Sequence, residues 1–247
     1  MNDIKKQKII FLDRDGTLCW DKGAFHSHVY NYDDLINNIN VLPGVLDSLR
    51  LLKSSGYMLV VISNQAGVAK GKFTEAAVHR FNYNLNKKLD FLIDGFYYCI
   101  HHDTGMESDN TILNQNKHIK ELIYDCECRK PKPGMFYQAE NDMKNGLIQV
   151  VDDSFYNNDI IYEKDRSKIK KEKIEPCIVD KKNSFMIGDK LIDTLAGKNY
   201  GVKSILVRTG EGSEEELKLD KYTDDKKNNI VDYIVDSISD AVRLILK

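Results

Sequence analysis

The stretch KIIFLDRDGT, residues 8–17, sets four consecutive apolar side chains before two aspartates separated by one residue, then a glycine. An unbroken β-branched and aliphatic run is what a parallel strand covered on both faces requires. The glycine lets the chain turn sharply where the strand stops. In open α/β sheets ligands bind outside the carboxyl ends of the strands, so Asp13-Arg14-Asp15 marks a candidate site. An Asp-X-Asp-Gly segment alone is equally an Asx-type turn, and its meaning depends on what the fold brings beside it.

Two further runs have the same form, YMLVVISN at 57–64 and SFMIGD at 184–189. Between and after them the spacing predicts helices. Pro43-Gly44 opens one through VLDSLRLLKSSG, with Gly56 as its stop, and Thr74 caps EAAVHRFNYNLNKKL. Pro133 starts a helix through FYQAENDMKNG, and Leu191–Tyr200 is another, stopped by Gly201. SILVR at 204–208 is a further strand, and Ser239 is expected to cap a terminal helix. Alternating strands and helices predict an α/β, Rossmann-like domain with a mainly parallel sheet, one domain over residues 1–247. Two polar segments break the rhythm, 104–122 and 156–183, and are expected to be surface insertions; the second includes EKDRSKIKKEK, at 163–173, whose mixed charges predict a solvated helix or flexible loop.

The chain's 247 residues are 42% apolar, enough for a real core. Its 36 basic and 38 acidic residues nearly cancel to a net charge of −2, which offers no field for nucleic acid or a membrane surface. The N-terminal apolar run is too short for a signal-peptide core and no stretch is long enough to span a bilayer, so a cytoplasmic protein, expected as a monomer, is predicted. Five unevenly spaced cysteines fit a disulfide framework poorly. GVAKGK at 67–72 is not a phosphate loop, because the glycine spacing is one short and Phe73 replaces the Ser or Thr.

The polar strand ends supply a set of chemical parts. Asp13 and Asp15 together suit attack on phosphorus and handling of a leaving-group proton. Ser63, Asn64 and Gln65 offer a hydroxyl and amide dipoles, and Arg129-Lys130 offer fixed positive charge for a phosphate dianion. Asp189, with Asp193 following, can join Asp13 around a hard dication or can cap the next helix. The cysteines form two tight pairs, Cys99-Ile100-His101 and Cys126-Glu127-Cys128, flanking one polar loop. Three thiolates and one imidazole make a closed tetrahedral zinc site; His102 competes as ligand, though the spacing favours His101. Such a site contributes on the order of 10 kcal/mol to ordering the segment it closes. Cys19 reads as a small buried side chain.

The order DxDGT, SN, RKPKPG, GDxxxD resembles the four-motif pattern of the haloacid dehalogenase superfamily of phosphatases. Within it, FLDRDGTL, SNQAGVAKGKFTE, DGFYYCIHH, CECRKPKPGM, FMIGDKLIDTLAG and LVRTG resemble the D-glycero-D-manno-heptose 1,7-bisphosphate 7-phosphatases. The resemblance covers most of the chain outside the two insertions and a small extension near HSHVYNYDD. It implies a phosphatase acting on a phosphorylated sugar in the synthesis of activated heptose for surface polysaccharide. It implies Asp13 as nucleophile, Asp15 as general acid and base, Ser63 on the phosphoryl oxygens and Lys130 on its charge. Mg2+ would be held by Asp13, Asp189 and the Asp15 carbonyl. Arg129 would recognise substrate, with Asp21, Lys22, Gly23, Ala24, Asn64, Gln65, Ala66 and Lys190 lining the pocket. The family lacks a large cap domain and places its zinc loop beside the active site. This chain departs in a longer loop between the metal pairs, in Ser63 where Thr is common, and in Trp20 before the pocket segment. Two other readings are a histidinol-phosphate phosphatase, whose segment tends to read NQDG instead of SNQAGVAKG, and a zinc-containing module that binds a phosphorylated partner without hydrolysis.

Overall fold

The computed structural model describes residues 5–20, 39–103, 119–153, 169–219, 221 and 229–247. Its elements are, in order, β1 (Lys5–Gln7), β2 (Ile9–Leu12), α1 (Val45–Ser54), β3 (Met58–Asn64), α2 (Glu75–Lys88), β4 (Gly95–Cys99), α3 (Gly134–Lys144), β5 (Leu147–Gln149), β6 (Lys171–Lys173) and β7 (Cys177–Val179). After these come β8 (Phe185–Gly188), α4 (Leu191–Tyr200), β9 (Lys203–Val207), α5 (Gly212–Leu219), β10 (Tyr233–Val235) and α6 (Ile238–Ile245). The central sheet runs β10-β9-β8-β2-β3-β4, and each neighbouring pair is parallel.

Alternation along β2 explains why the sheet is covered twice. Ile10 and Leu12 face one layer with Leu49 and Leu52 of α1, Phe81 and Leu85 of α2 and Val242 of α6. Ile9 and Phe11 face the other, with Phe136 of α3 and Tyr200 of α4. All four β2 side chains are buried, as the unbroken apolar run requires. From β2 the chain builds outward through β3 to β4 on one side and through β8, β9 and β10 on the other. β2 therefore borders a topological switch point, the place where α/β sheets open a crevice. No helix among the described residues is long and apolar enough to cross a membrane.

Thr74 caps α2 by accepting from the Ala77 amide, and Gly201 closes α4 in a left-handed conformation. Three expectations are corrected. Ser237, not Ser239, caps α6; Ser239 lies within the helix with its Oγ 3.1 Å from that of Ser48 on α1. Lys190 occupies the cap of α4, and Asp189 instead accepts from the Glu211 amide at 2.9 Å. The described end of EKDRSKIKKEK is neither helix nor loop: Lys171–Lys173 form β6, which pairs antiparallel with β5, and further along the 156–183 segment β7 pairs parallel with β1. Residues 21–24 and most of the two expected insertions lie outside the described residues. Trp20, just before, is 49% exposed.

Candidate active site and metal cluster

The sheet order sets the carboxyl ends of β8, β2 and β3 side by side, which brings Asp189, Asp13 and Ser63 together. A lysine from the turn before α3 completes the group. Lys130 is 3% exposed, and its Nζ lies 2.6 Å from Asp13 Oδ1, 2.7 Å from Asp193 Oδ1 and 2.8 Å from the Ile62 carbonyl. Asn64 holds the backbone of this lysine from both sides, accepting from its amide at 3.0 Å and donating to its carbonyl at 3.1 Å. Asn64 thus lines the cleft with its amide already engaged. Asp15 receives the Gln65 amide at 3.0 Å on Oδ2, and the same Gln65 nitrogen lies 2.8 Å from Ser63 Oγ. Ala66, Arg129 and Lys190 also line the cleft, and Lys190 pairs with Glu211 at 2.8 Å.

Among the described residues the carboxylates of this group are not fully balanced. Burial, then the Asp13 and Asp193 carboxylates, push Asp189 up to about 9. Burial and the Asp13 carboxylate raise Asp193 to about 6. Burial alone would lower Lys130, but Asp13 and Asp193 outweigh it and hold the pKa raised. Asp13, Asp189 and Asp193 keep carboxylate oxygens within 4.8 Å of one another, a set able to hold a metal ion. Asp189 Oδ1 is buried without a hydrogen-bond partner among the described residues. An orphaned carboxylate oxygen among hard oxygen donors is what Mg2+ suits, so the residues fit such an ion.

The second cluster lies beyond β4. Cys99, His101, Cys126 and Cys128 bring their ligand atoms within 4.8 Å of one another. Cys128 Sγ is 3.2 Å from Cys99 Sγ, 3.4 Å from Cys126 Sγ and 3.1 Å from His101 Nδ1. Hydrogen bonding to the Cys126 and Cys128 sulfurs, then burial, pushes the Cys99 thiol well up, as three adjacent sulfurs compete to ionise. His101 Nε2 meets the Tyr124 hydroxyl at 2.9 Å, which turns Nδ1 toward the sulfurs as an outer partner does for a ligating imidazole. His102 is turned away, its Nδ1 2.7 Å from the Asp103 carbonyl. The cluster follows directly into Arg129, whose Nη1 lies 3.4 Å from the His101 carbonyl.

Several site residues escape sequence reading. Asp193 stands in the first turn of α4, and its pairing with Lys130 needed the fold. Lys70, Lys72 and Phe73 line the cleft from a loop that has no catalytic signature. Tyr124 has no ligand-type spacing to reveal it.

Comparison with known proteins gives a consistent result. A family model described as HAD-hydrolase-like matches residues 127–241, and one described as polynucleotide kinase 3 phosphatase matches residues 8–182. The D-glycero-beta-D-manno-heptose-1,7-bisphosphate 7-phosphatase of Haemophilus influenzae is 36% identical over 242 residues, 96% of this chain and 96% of that protein. The Escherichia coli K12 protein of the same name is 32% identical over 248 residues, 98% of this chain and 96% of that one. The crystal structure of a D,D-heptose 1,7-bisphosphate phosphatase from B. bronchiseptica, complexed with magnesium and phosphate, is similar in fold at a TM-score of 0.61 and 22% identity, covering 97% of this chain and 98% of that one.

Proposed function

The chain belongs to the D-glycero-beta-D-manno-heptose-1,7-bisphosphate 7-phosphatase family of HAD-like hydrolases, and from that membership we propose that it removes the 7-phosphate from a D-glycero-D-manno-heptose 1,7-bisphosphate, in the synthesis of activated heptose. The observation that carries the chemistry is Lys130, a buried ammonium 2.6 Å from Asp13 Oδ1. A fixed cation beside a carboxylate is the arrangement that accepts a phosphoryl dianion and steadies its charge as bonds change.

Asp13 attacks the phosphorus and forms an aspartyl-phosphate while Asp15 gives a proton to the departing sugar oxygen. Asp15 then draws a proton from the water that attacks the same phosphorus, and Asp13 is released. Ser63 and Lys130 hold the phosphoryl oxygens, and Arg129, Gln65 and Lys190 face the remainder of the substrate, with Asn64 holding the Lys130 turn in place. Asp21, Lys22, Gly23 and Ala24 are proposed to complete the pocket wall. Asp13, Asp189 and the Asp15 carbonyl would hold Mg2+, which supplies neutralising charge to the reacting phosphate. Cys99, His101, Cys126 and Cys128 would hold a structural Zn2+ that fixes where Arg129 and Lys130 stand. The intact set Asp13, Asp15, Lys130 and Asp189 favours an enzyme over a binding module.

Initial rates with Mg2+ on the heptose bisphosphate, histidinol phosphate and a 3′-phosphorylated oligonucleotide test this reading. The heptose bisphosphate should give the highest kcat/KM by at least about tenfold, a difference of ~1.4 kcal/mol in transition-state binding. Faster hydrolysis of either competitor overturns the substrate assignment.

A further inference from the structure

Arg14, the residue between the two aspartates, is 0% exposed. A guanidinium keeps its charge when buried, so it is tolerated only where its donors are paired. Nε lies 3.0 Å from Asp15 Oδ1 and 3.1 Å from Oδ2, and Nη2 lies 2.8 Å from Oδ2. On its other side Nη1 donates to Asn82 Oδ1 at 3.0 Å, and the guanidinium carbon stands 4.2 Å from the Phe81 ring centroid. Phe81 and Asn82 are both buried on α2, so the fork is braced by a helix.

The load on the two Asp15 oxygens is unequal. Oδ2 accepts from Arg14 Nε and Nη2 and from Gln65 Nε2 at 3.0 Å. Oδ1 meets Arg14 Nε and, at 3.9 Å, the Cys19 thiol. Two donors of its own, with the single Nε–H shared between both oxygens, leave Oδ2 less capacity for a proton than Oδ1.

We infer that Arg14, braced by Asn82 and Phe81, is a positioning residue that fixes the rotation of the Asp15 carboxyl so that Oδ1 carries the proton delivered to the leaving oxygen. As the bond from Asp13 to phosphorus forms, the bond from phosphorus to the leaving oxygen breaks and its electron pair passes to that oxygen. The proton moves there from Oδ1, and the Asp15 carboxylate left behind is the form Arg14 pairs with most strongly. The inference rests on the proposed role of Asp15 as general acid.

A positioning role has a signature that a packing role lacks. A p-nitrophenolate leaves without protonation, whereas a sugar alkoxide does not, so misplacing the acid penalises the alkyl ester selectively in kcat/KM, which reports the steps through formation of the aspartyl-phosphate and not the later attack of water. Arg14→Lys keeps the charge but loses the planar fork. With Mg2+ present it should lower kcat/KM on the heptose bisphosphate by about 100-fold and on p-nitrophenyl phosphate by less than about threefold, against the ~10²–10⁴ that general acid catalysis contributes. Asn82→Ala should show the same bias at about threefold to tenfold, and decides the matter if Arg14→Lys does not fold. Parallel losses on both esters overturn the positioning role. Asp15→Asn separates the two levels. If it shows the leaving-group bias and the Arg14 and Asn82 variants do not, only the inference fails; if it shows none, the acid role of Asp15 fails too.

Discussion

Asp189 occupies a slot that only glycine neighbours leave open. A Cβ on Gly16 would stand 2.1 Å from its Oδ2 and one on Gly210 2.2 Å, and both glycines have positive φ, 81° and 58°. Gly210→Ala therefore displaces the carboxylate besides straining the backbone by ~1–2 kcal/mol. The Mg2+ concentration for half-maximal activity should rise at least about tenfold, ~1.4 kcal/mol of lost binding, measured by titrating activity with Mg2+. An unchanged Mg2+ requirement contradicts the role given to Asp189. Asp13→Asn should lower phosphate release by about 10⁴-fold or more, because a removed nucleophile takes the whole covalent route with it, while the far-ultraviolet circular dichroism stays that of the parent. Asp13 and Asp189 stand out in the sequence because each follows an apolar run, and Asp15 because it repeats the carboxylate two residues on. The partner of Lys130 in α4 does not: Asp193 reads as an ordinary first-turn acid until the fold folds Lys130 against it. Arg14 likewise reads as a spacer until α2 is seen behind it.

The strands that carry the site were predicted because burial on both faces writes itself into composition, as in β2 and β3. β6 left no such record. Its residues Lys171–Lys173 are all exposed, and it joins β5 through backbone pairing alone, which any side chain permits. The displaced cap of α6 has a similar cause: two serines stand two residues apart, and only the contact of Ser239 with Ser48 decides between them. The convergence of Cys99, His101, Cys126 and Cys128 was legible because their paired spacing is a strong local signal, with Cys99 at the end of β4 and the second pair just before Lys130. The purified protein should carry about one zinc ion per chain. Cys126→Ser should lose it, lower Tm by on the order of 10 °C and raise KM as Arg129 loses its anchor. Retention of zinc, or an unchanged Tm after its loss, contradicts a structural role.

At the scale of the whole molecule, outward growth of the sheet on both sides of β2 makes one crevice in which three carboxylates meet one ammonium. The alternation of strands and helices forecast such a sheet; the strand order that sets β8 beside β2 is a long-range property no local pattern carries. The unbalanced charge has a consequence for stability. Asp189 has its folded pKa raised to about 9, against about 3.9 for an unperturbed aspartate. Between those values the folded chain retains a proton that the unfolded chain has released, so metal-free stability falls as pH rises. Mg2+ should relieve this and raise Tm more at about pH 8 than at about pH 6; an equal gain at both contradicts the coupling. This crevice is expected to remove the 7-phosphate and spare the other. Phosphorus NMR of the heptose 1,7-bisphosphate during turnover reads that directly. The C7 monoester resonance should decay one for one into inorganic phosphate while the C1 phosphate persists, and loss of the C1 phosphate, or no loss at either position, would contradict the account.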